Sequence, residues 1–273
     1  MKALVYRNKE KDKNKKYSNI LAELLDKYKI EFSMLEDSDL KSLVKADILF
    51  IIGGDGTILD LTEFANVNNI PIIGINAGKV GFLTEFENDQ MEEAVKLFSE
   101  NLLEKDFRNT ILAEYKNKKY YALNDVVIQR VYTEERGAHI TNVDVAIDGC
   151  KMDRISGDGV IVSTPTGSTA YSLSASGSIM TPGINAFSVT PICAHSLHHR
   201  SVIYSAESVC SINMLKGSLA GLFIDGNYIG LIDSNDEIVV KKAERPTVFL
   251  RKNDYNFFEK LIKKLNSKVI KNV

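Results

Sequence analysis

The apolar run Ile48-Leu49-Phe50-Ile51-Ile52 stops dead at Gly53-Gly54-Asp55-Gly56-Thr57. Successive side chains of a strand point to opposite faces, so such a run must be covered on both sides. That requirement is met by a parallel sheet with helices on its faces, whose ligand-binding loops lie at the carboxyl ends of the strands. The flanking sequence agrees. Ala3–Tyr6, Glu31–Leu35 and Ile70–Ile75 read as further strands. Ile20, Leu21, Leu24, Leu25 and Tyr28 form the stripe of an amphipathic helix. A helix from about Gly56 to Asn66 and another over Met91–Phe98 complete the pattern. The Lys-, Asn- and Glu-rich stretch Arg7–Lys16 reads as a mobile, solvated loop.

Beyond about Phe107 the period changes. Short runs rich in Val, Ile, Tyr and Thr, such as Asn142–Ile147, Gly159–Ser163, Ser208–Met214, Gly221–Ile224 and Thr247–Leu250, are separated by turn signals at Asp148-Gly149, Lys216-Gly217 and Asp225-Gly226. The expected fold is therefore an α/β N-terminal domain, a parallel sheet with covering helices, followed by an all-β, sandwich-like C-terminal domain. The expected boundaries are 1–105, 106–252, and a closing helix over 253–273 that packs back on the body. A length of 273 residues suits this division.

Composition narrows the function. Lys plus Arg total 34 against 36 Asp plus Glu, a net charge of −2, which weighs against a general nucleic-acid binder. No apolar run approaches the ~18–20 residues of a membrane span, and the first apolar stretch ends at Arg7, too soon for a secretory signal. Three cysteines, Cys150, Cys193 and Cys210, contain no CxxC pair, so a reducing cytoplasm is the expected setting. Cys193 to His199 matches no established metal spacing, and no tightly bound protein metal site is expected.

The loop Gly53-Gly54-Asp55-Gly56-Thr57 carries the strongest chemical signal. Glycines at 53, 54 and 56 allow positive φ and a close ligand approach, and the following helix start favours phosphate. It is neither a dinucleotide fingerprint, since position 59 is Leu, nor a Walker loop, since no Gly-Lys-Ser/Thr follows. A carboxylate among phosphate-binding amides needs a task, and accepting the proton of an attacking hydroxyl is the obvious one. The plainer alternative is a glycine turn with a capping Asp.

A second constellation is Gly157-Asp158-Gly159, a strand, then Ser163-Thr164-Pro165-Thr166-Gly167-Ser168-Thr169-Ala170-Tyr171-Ser172-Leu173-Ser174. The eleven residues before Ser174 hold six Ser/Thr hydroxyls and no charge, which suits a nucleoside and a pyrophosphate. Tyr171 could stack on a base or simply pack. Gly78-Lys79-Val80-Gly81-Phe82-Leu83 sets an aromatic ring at the ligand-binding end of the sheet. Asn124-Asp125 interrupts a strand with groups able to bond ribose hydroxyls or a base edge. Each of these two is equally readable as a turn.

Taken together and in this order, GGDGT, GKVGFL, LNDV and GDGVIVSTPTGSTAYSLSASG resemble the NAD kinase family over nearly the whole chain. The GGDG loop is shared with lipid kinases; the longer stretch is far more specific. The resemblance implies phosphorylation of the 2′-hydroxyl of the adenosine ribose of NAD, giving NADP. It implies Asp55 as proton acceptor and Asp55-Gly56 as a substrate contact, with the donor's phosphates on Gly53, Gly54, Gly56 and Thr57. Phe82 would line the adenine-side pocket, and Asn124 and Asp125 would bond the nucleoside. His139 and Asp158 would touch substrate, Asp158 reaching a neighbouring subunit's site. Thr166, Thr169, Ala170, Tyr171, Ser172 and Ser174 would hold adenine and ribose, and Asn227 would make a polar contact near the dinucleotide. The donor would be ATP or polyphosphate with Mg²⁺, and the chain would self-associate as a homodimer or homotetramer. Two departures stand out: Ser156, with Arg154 nearby, where relatives often carry a large side chain, and Ser178-Ile179-Met180 after SASG. A lipid or small-polyol kinase and a non-catalytic NAD(P) sensor are the alternatives. The hydroxyl-rich second loop argues against the first, and retention of Asp55 beside phosphate against the second.

Overall fold

The computed structural model describes residues 1–78, 81–133, 137–138, 140–196 and 199–269. The chain divides into two compact units, Met1–Phe107 with Thr247–Val273, and Arg108–Pro246. No helix among the described residues is long and apolar enough to cross a membrane.

In the first unit, strands Glu31–Met34, Lys2–Arg7, Ile48–Gly53, Ile72–Asn76, Thr247–Arg251 and Glu104–Arg108 lie side by side in that order, with Phe86–Glu87 paired to Ile72–Asn76. The apolar run behaves as its composition demands. Every residue of Ile48–Gly53 is buried, and the strand pairs in parallel with Lys2–Arg7 on one side and Ile72–Asn76 on the other. Phe50 and Ile52 pack with Leu21 and Leu25 of helix Lys16–Lys27 and with Val95 and Phe98 of helix Met91–Ser99. The helix expected over 56–66 is two helices, Asp55–Asp60 and Thr62–Asn68. They divide at Leu61, beside which the Thr62 hydroxyl donates to the Ile58 carbonyl at 3.1 Å.

One sequence expectation needs correction and a second is refined. Thr247–Leu250 reads as part of the β-rich domain, yet strand Thr247–Arg251 belongs to the first sheet, parallel to Ile72–Asn76. Its last residue explains the placement: Arg251 is 2% exposed and ion-paired to Glu85 and Asp106, both from the first unit. A buried guanidinium must sit where its carboxylates are, and that partnership spans 145 residues of chain. The stretch 8–16 is exposed at seven of its nine positions, as a solvated loop should be, but it is anchored to the body at Asp12. Asp12 is buried, and its carboxylate accepts the amides of Tyr17 and Ser18 at 2.9 and 3.0 Å, capping the helix that starts at Lys16.

The second unit has two six-stranded sheets in which every recorded pairing is antiparallel. Alternate residues such as Val126, Ile128, Val160 and Val162 of one sheet share a core with Val143, Val145, Ile238 and Val240 of the other. This is the period-2 pattern of a sandwich. The opposite face of the first of these sheets offers Val127, Ile161 and Ile192, flanked by Phe223 of the same sheet and packed against Tyr171 and Ala175. The hydroxyl-rich segment thus lies on an outer sheet face.

Candidate active site

In the first unit the strand end at Gly53 delivers Asp55 as the first residue of helix Asp55–Asp60. Gly53, Gly54 and Gly56 are not among the residues with positive φ, so the expected left-handed backbone is absent and a steric reason replaces it. A Cβ on Gly53 would stand 2.5 Å from the Thr57 hydroxyl oxygen, whereas nothing lies within 4 Å of one on Gly56. Gly56 is exposed and presents an open surface. Thr57 is buried, and its hydroxyl oxygen accepts a bond from the Asn8 amide nitrogen at 3.0 Å. Asn8 and Lys11, whose ammonium stands against Gly54, are neighbours of this loop that no motif announced.

The Asp55 carboxylate is held on several sides. Its Oδ2 accepts the Phe82 amide at 2.8 Å and the Lys264 ammonium at 3.1 Å, and its Oδ1 accepts the Leu83 amide at 3.0 Å. Among the described residues Oδ2 accepts two bonds and Oδ1 one, so of the roughly four lone-pair positions of an ionised carboxylate one remains, on Oδ1. Burial works to raise the pKa of Asp55. The charge of Lys264 and the amides of Leu83 and Phe82 outweigh it, and the carboxyl is held below its ordinary value. Phe82 supplies an amide to this site as well as a ring, over which the Lys264 ammonium sits 4.1 Å from the centroid. Lys79 and Val80 of the same loop lie outside the described residues.

The second unit gathers a different set. Asp225, at φ 47° in the turn before Gly226, accepts the amides of Leu123, Asn124 and Asp125 at 2.7, 2.8 and 2.9 Å. It thereby fixes the Asn-Asp pair. Asp125 is buried, and burial together with the Asp225 charge raises its carboxyl to about 7. The Asn124 carbonyl accepts the Thr164 amide at 2.9 Å, and a Cβ on Gly167 would lie 2.1 Å from that carbonyl oxygen. This contact seats Thr166–Thr169 on the end of strand Asp125–Arg130. Thr166 accepts Arg108 at 3.5 Å, and Thr169 donates to the Thr166 carbonyl at 3.2 Å.

Several hydroxyls read as ligand groups are spent internally. Thr164 donates to the Leu123 carbonyl at 2.5 Å and Ser168 to the Pro165 carbonyl at 2.6 Å. Ser172 is wholly buried in a chain through Thr190 to Ser201, at 3.1 and 2.8 Å. Tyr171 packs on the outer sheet face, Ala170 is half-buried, and Ser174 and Asn227 are exposed. Asp158 pairs with Arg130 at 3.1 Å. The glycines beside it answer to packing: Gly159 has φ 153°, and a Cβ there would lie 2.0 Å from the Ile128 carbonyl oxygen. Arg154 is held bidentately by Asp144 at 2.7 and 2.8 Å, and Ser156 donates to Asn142 at 2.6 Å, so the first of the two departures is occupied within its own sheet. His139 lies outside the described residues, as do Leu197 and His198. His199 bonds Asp153 at 2.5 Å, and no cluster of three or more His, Cys, Asp or Glu able to hold a metal occurs among the described residues.

Residues 4–103 match the ATP-NAD kinase N-terminal domain and residues 123–252 the ATP-NAD kinase C-terminal domain. An NAD kinase of Caldicellulosiruptor saccharolyticus is 33% identical over 261 residues, covering 96% of this chain and 98% of that one. The chain belongs to the NAD kinase family. A second NAD kinase, from Methanothermobacter thermautotrophicus, is 38% identical over 81% of this chain and 76% of its own. Two solved structures share the fold at a TM-score of 0.80: yeast NADH kinase complexed with NADH, 25% identical over 97% of this chain and 87% of that chain, and an Archaeoglobus fulgidus NAD kinase in complex with ATP, 26% identical over 98% and 99%. Membership in the NAD kinase family leaves the lipid-kinase and sensor alternatives without support.

Proposed function

We propose that this chain phosphorylates the 2′-hydroxyl of the adenosine ribose of NAD, with ATP as donor, to give NADP. The observation that carries the reading is Asp55: an ionised, partly buried carboxylate at the strand end, steadied on both oxygens yet keeping a lone-pair position on Oδ1. Family membership names the reaction, and the relatives solved with NADH and with ATP support the substrate pair.

Phosphoryl transfer asks the protein mainly for in-line placement and charge stabilisation. The ribose oxygen attacks the terminal phosphorus, the bond from that phosphorus to the ADP oxygen breaks, and the hydroxyl proton passes to Asp55 Oδ1. A carboxylate held below its ordinary value is a weak base towards a sugar hydroxyl. Proton transfer therefore comes late, together with bond formation to phosphorus. The open face of Gly56 and the neighbouring amides of Gly53, Gly54 and Thr57 are the donor-phosphate cradle in this reading, with the Lys11 ammonium beside it. A divalent ion such as Mg²⁺, carried by the donor, would supply charge neutralisation at this cradle. Asn124, Asp125, Thr166, Thr169, Ala170, Tyr171, Ser174 and Asn227 are assigned to the nucleoside and its neighbourhood. Asp158 and His139 are kept as substrate contacts by resemblance. For Ser172 any contact is through its backbone.

The same reading includes a cytoplasmic setting, which three free thiols suit, and self-association, which the exposed Val202 and Ile203 on an edge strand suit. One assay tests the function: NADP formation from NAD, Mg²⁺ and ATP, run beside a lipid acceptor and a donor-free control. NADP in the first arm alone is expected. Product only with the lipid, or none at all, overturns the reading.

A further inference from the structure

The motifs assign nothing to the C-terminal helix, yet this helix reaches the acid. Lys264 lies 209 residues from Asp55 in the chain, and its ammonium stands 3.1 Å from Asp55 Oδ2 and 4.1 Å from the centre of the Phe82 ring. One turn earlier, Lys260 donates to the Thr84 carbonyl at 2.6 Å and approaches Glu85 at 3.5 Å. Residues four apart share a helix face, so helix Phe257–Val269 is pinned to the 82–85 segment at two points. Its opposite side carries the exposed Phe258 and Ile262.

We propose that Lys264 is a positioning residue for the reaction: its ammonium clamps the Asp55 carboxylate against the Phe82 and Leu83 amides and keeps it in the proton-accepting form. This rests on Asp55 being the proton acceptor. Among the described residues, charged groups stand near Asp55 on the closing helix, on the 82–85 segment and beside its own loop. Lys264 is the nearest, and Lys260 also feels the Asp55 charge. Glu85, on the 82–85 segment, is already engaged by Arg251 and Lys260. Lys11 stands against Gly54, and Asp60 lies at the far end of Asp55's own helix.

Burial favours the neutral acid, and the ammonium is the first of the influences that overcome it. An opposite charge at this range favours the ionised carboxylate. Lys264 is 28% exposed, so solvent screens part of that effect. Without the ammonium, burial is opposed by two amides alone, and Asp55 takes up its proton at a higher pH.

The test compares wild type, Lys264→Met and Lys264→Arg. The ratio of variant to wild-type kcat/KM is followed from about pH 5 to 9, a ratio in which the titration of the donor's phosphates cancels. In parallel, the Asp55 carboxyl is titrated by ¹³C NMR in ligand-free protein. For the Met variant, the ratio should hold steady above about pH 7 and fall on acidification, with the carboxyl resonance titrating at a higher pH than in wild type. The Arg variant should restore both. A flat ratio with an unmoved resonance overturns the proposal and leaves Lys264 a packing residue. If wild type makes no NADP, the function proposed above fails, while the resonance still decides whether Lys264 governs Asp55. Should the Met variant not fold, Lys264→Gln, uncharged and of lesser bulk, is measured in the same way.

Discussion

Gly81 and Asp55 meet so closely that a Cβ on residue 81 would lie 2.0 Å from Asp55 Oδ1. The glycine of the second loop is therefore part of how the first loop's acid is placed. Gly81→Ala must push the carboxylate away or displace the Phe82 and Leu83 amides. Displacements near 1 Å at a reacting group can cost ~10²-fold in rate, so a loss of roughly 10- to 100-fold in kcat is expected. Gly78→Ala, with nothing within 4 Å of the added atom, is the control and should retain near-wild-type turnover. Equal kcat for the two variants would contradict the packing argument.

Asp55→Asn keeps the shape of the side chain and removes its charge and most of its basicity. General-base assistance is typically worth ~10²–10⁴, so kcat should fall by about that factor while NAD affinity changes little. Steady-state kinetics combined with equilibrium NAD binding separate the two quantities. Unchanged turnover would remove Asp55 from the mechanism.

The raised carboxyl of Asp125 predicts how stability depends on pH. Its folded value, about 7, lies above the unfolded reference of 3.8. Between those values the native state holds a proton that the unfolded chain has released. Its contribution is complete below about pH 4 and is lost as pH rises to about 7, with a slope near ~1.4 kcal/mol per pH unit for one proton. Asp125→Asn should flatten this part of the profile, read from urea midpoints at several pH values. An unaltered slope would place the proton elsewhere.

Ser172 should behave differently from its neighbours. Its buried hydroxyl belongs to the Thr190–Ser201 chain, so Ser172→Ala is expected to cost about 1–2 kcal/mol of stability by leaving a buried partner short of a bond. The KM for NAD should stay within about threefold of wild type. A large KM change with an unchanged melting temperature would assign the hydroxyl to the ligand instead.

Asp225 anchors three consecutive amides, those of Leu123, Asn124 and Asp125. Asp225→Ala leaves them without that acceptor at ~1–3 kcal/mol for each buried group not rescued by water. Both a lower melting temperature and weaker NAD binding are expected, because the Asn124-Asp125 pair loses its mooring. Thermal melts and binding titrations on the same preparation check both.

Much of this protein was legible in the chain. The apolar run Ile48–Ile52 required a doubly covered strand, and the period-2 runs after Phe107 required a two-layered β unit, because burial selects residues by face. The loops Gly53–Thr57 and Gly157–Ser174 carried enough unusual residue types to indicate phosphate and nucleoside chemistry. The tertiary structure alone decided which of those residues are available. It sent Ser172 and Ser168 inward, used Gly53 for steric fit in place of the positive φ the motif suggests, packed Gly81 against Asp55, and put strand Thr247–Arg251 into the first sheet. It also brought Lys264 across 209 residues to the one acid on which the chemistry turns. Local sequence encodes periodicity and turn chemistry. Charge pairing and close approach depend on which distant segments share a neighbourhood, and no spacing along the chain records that.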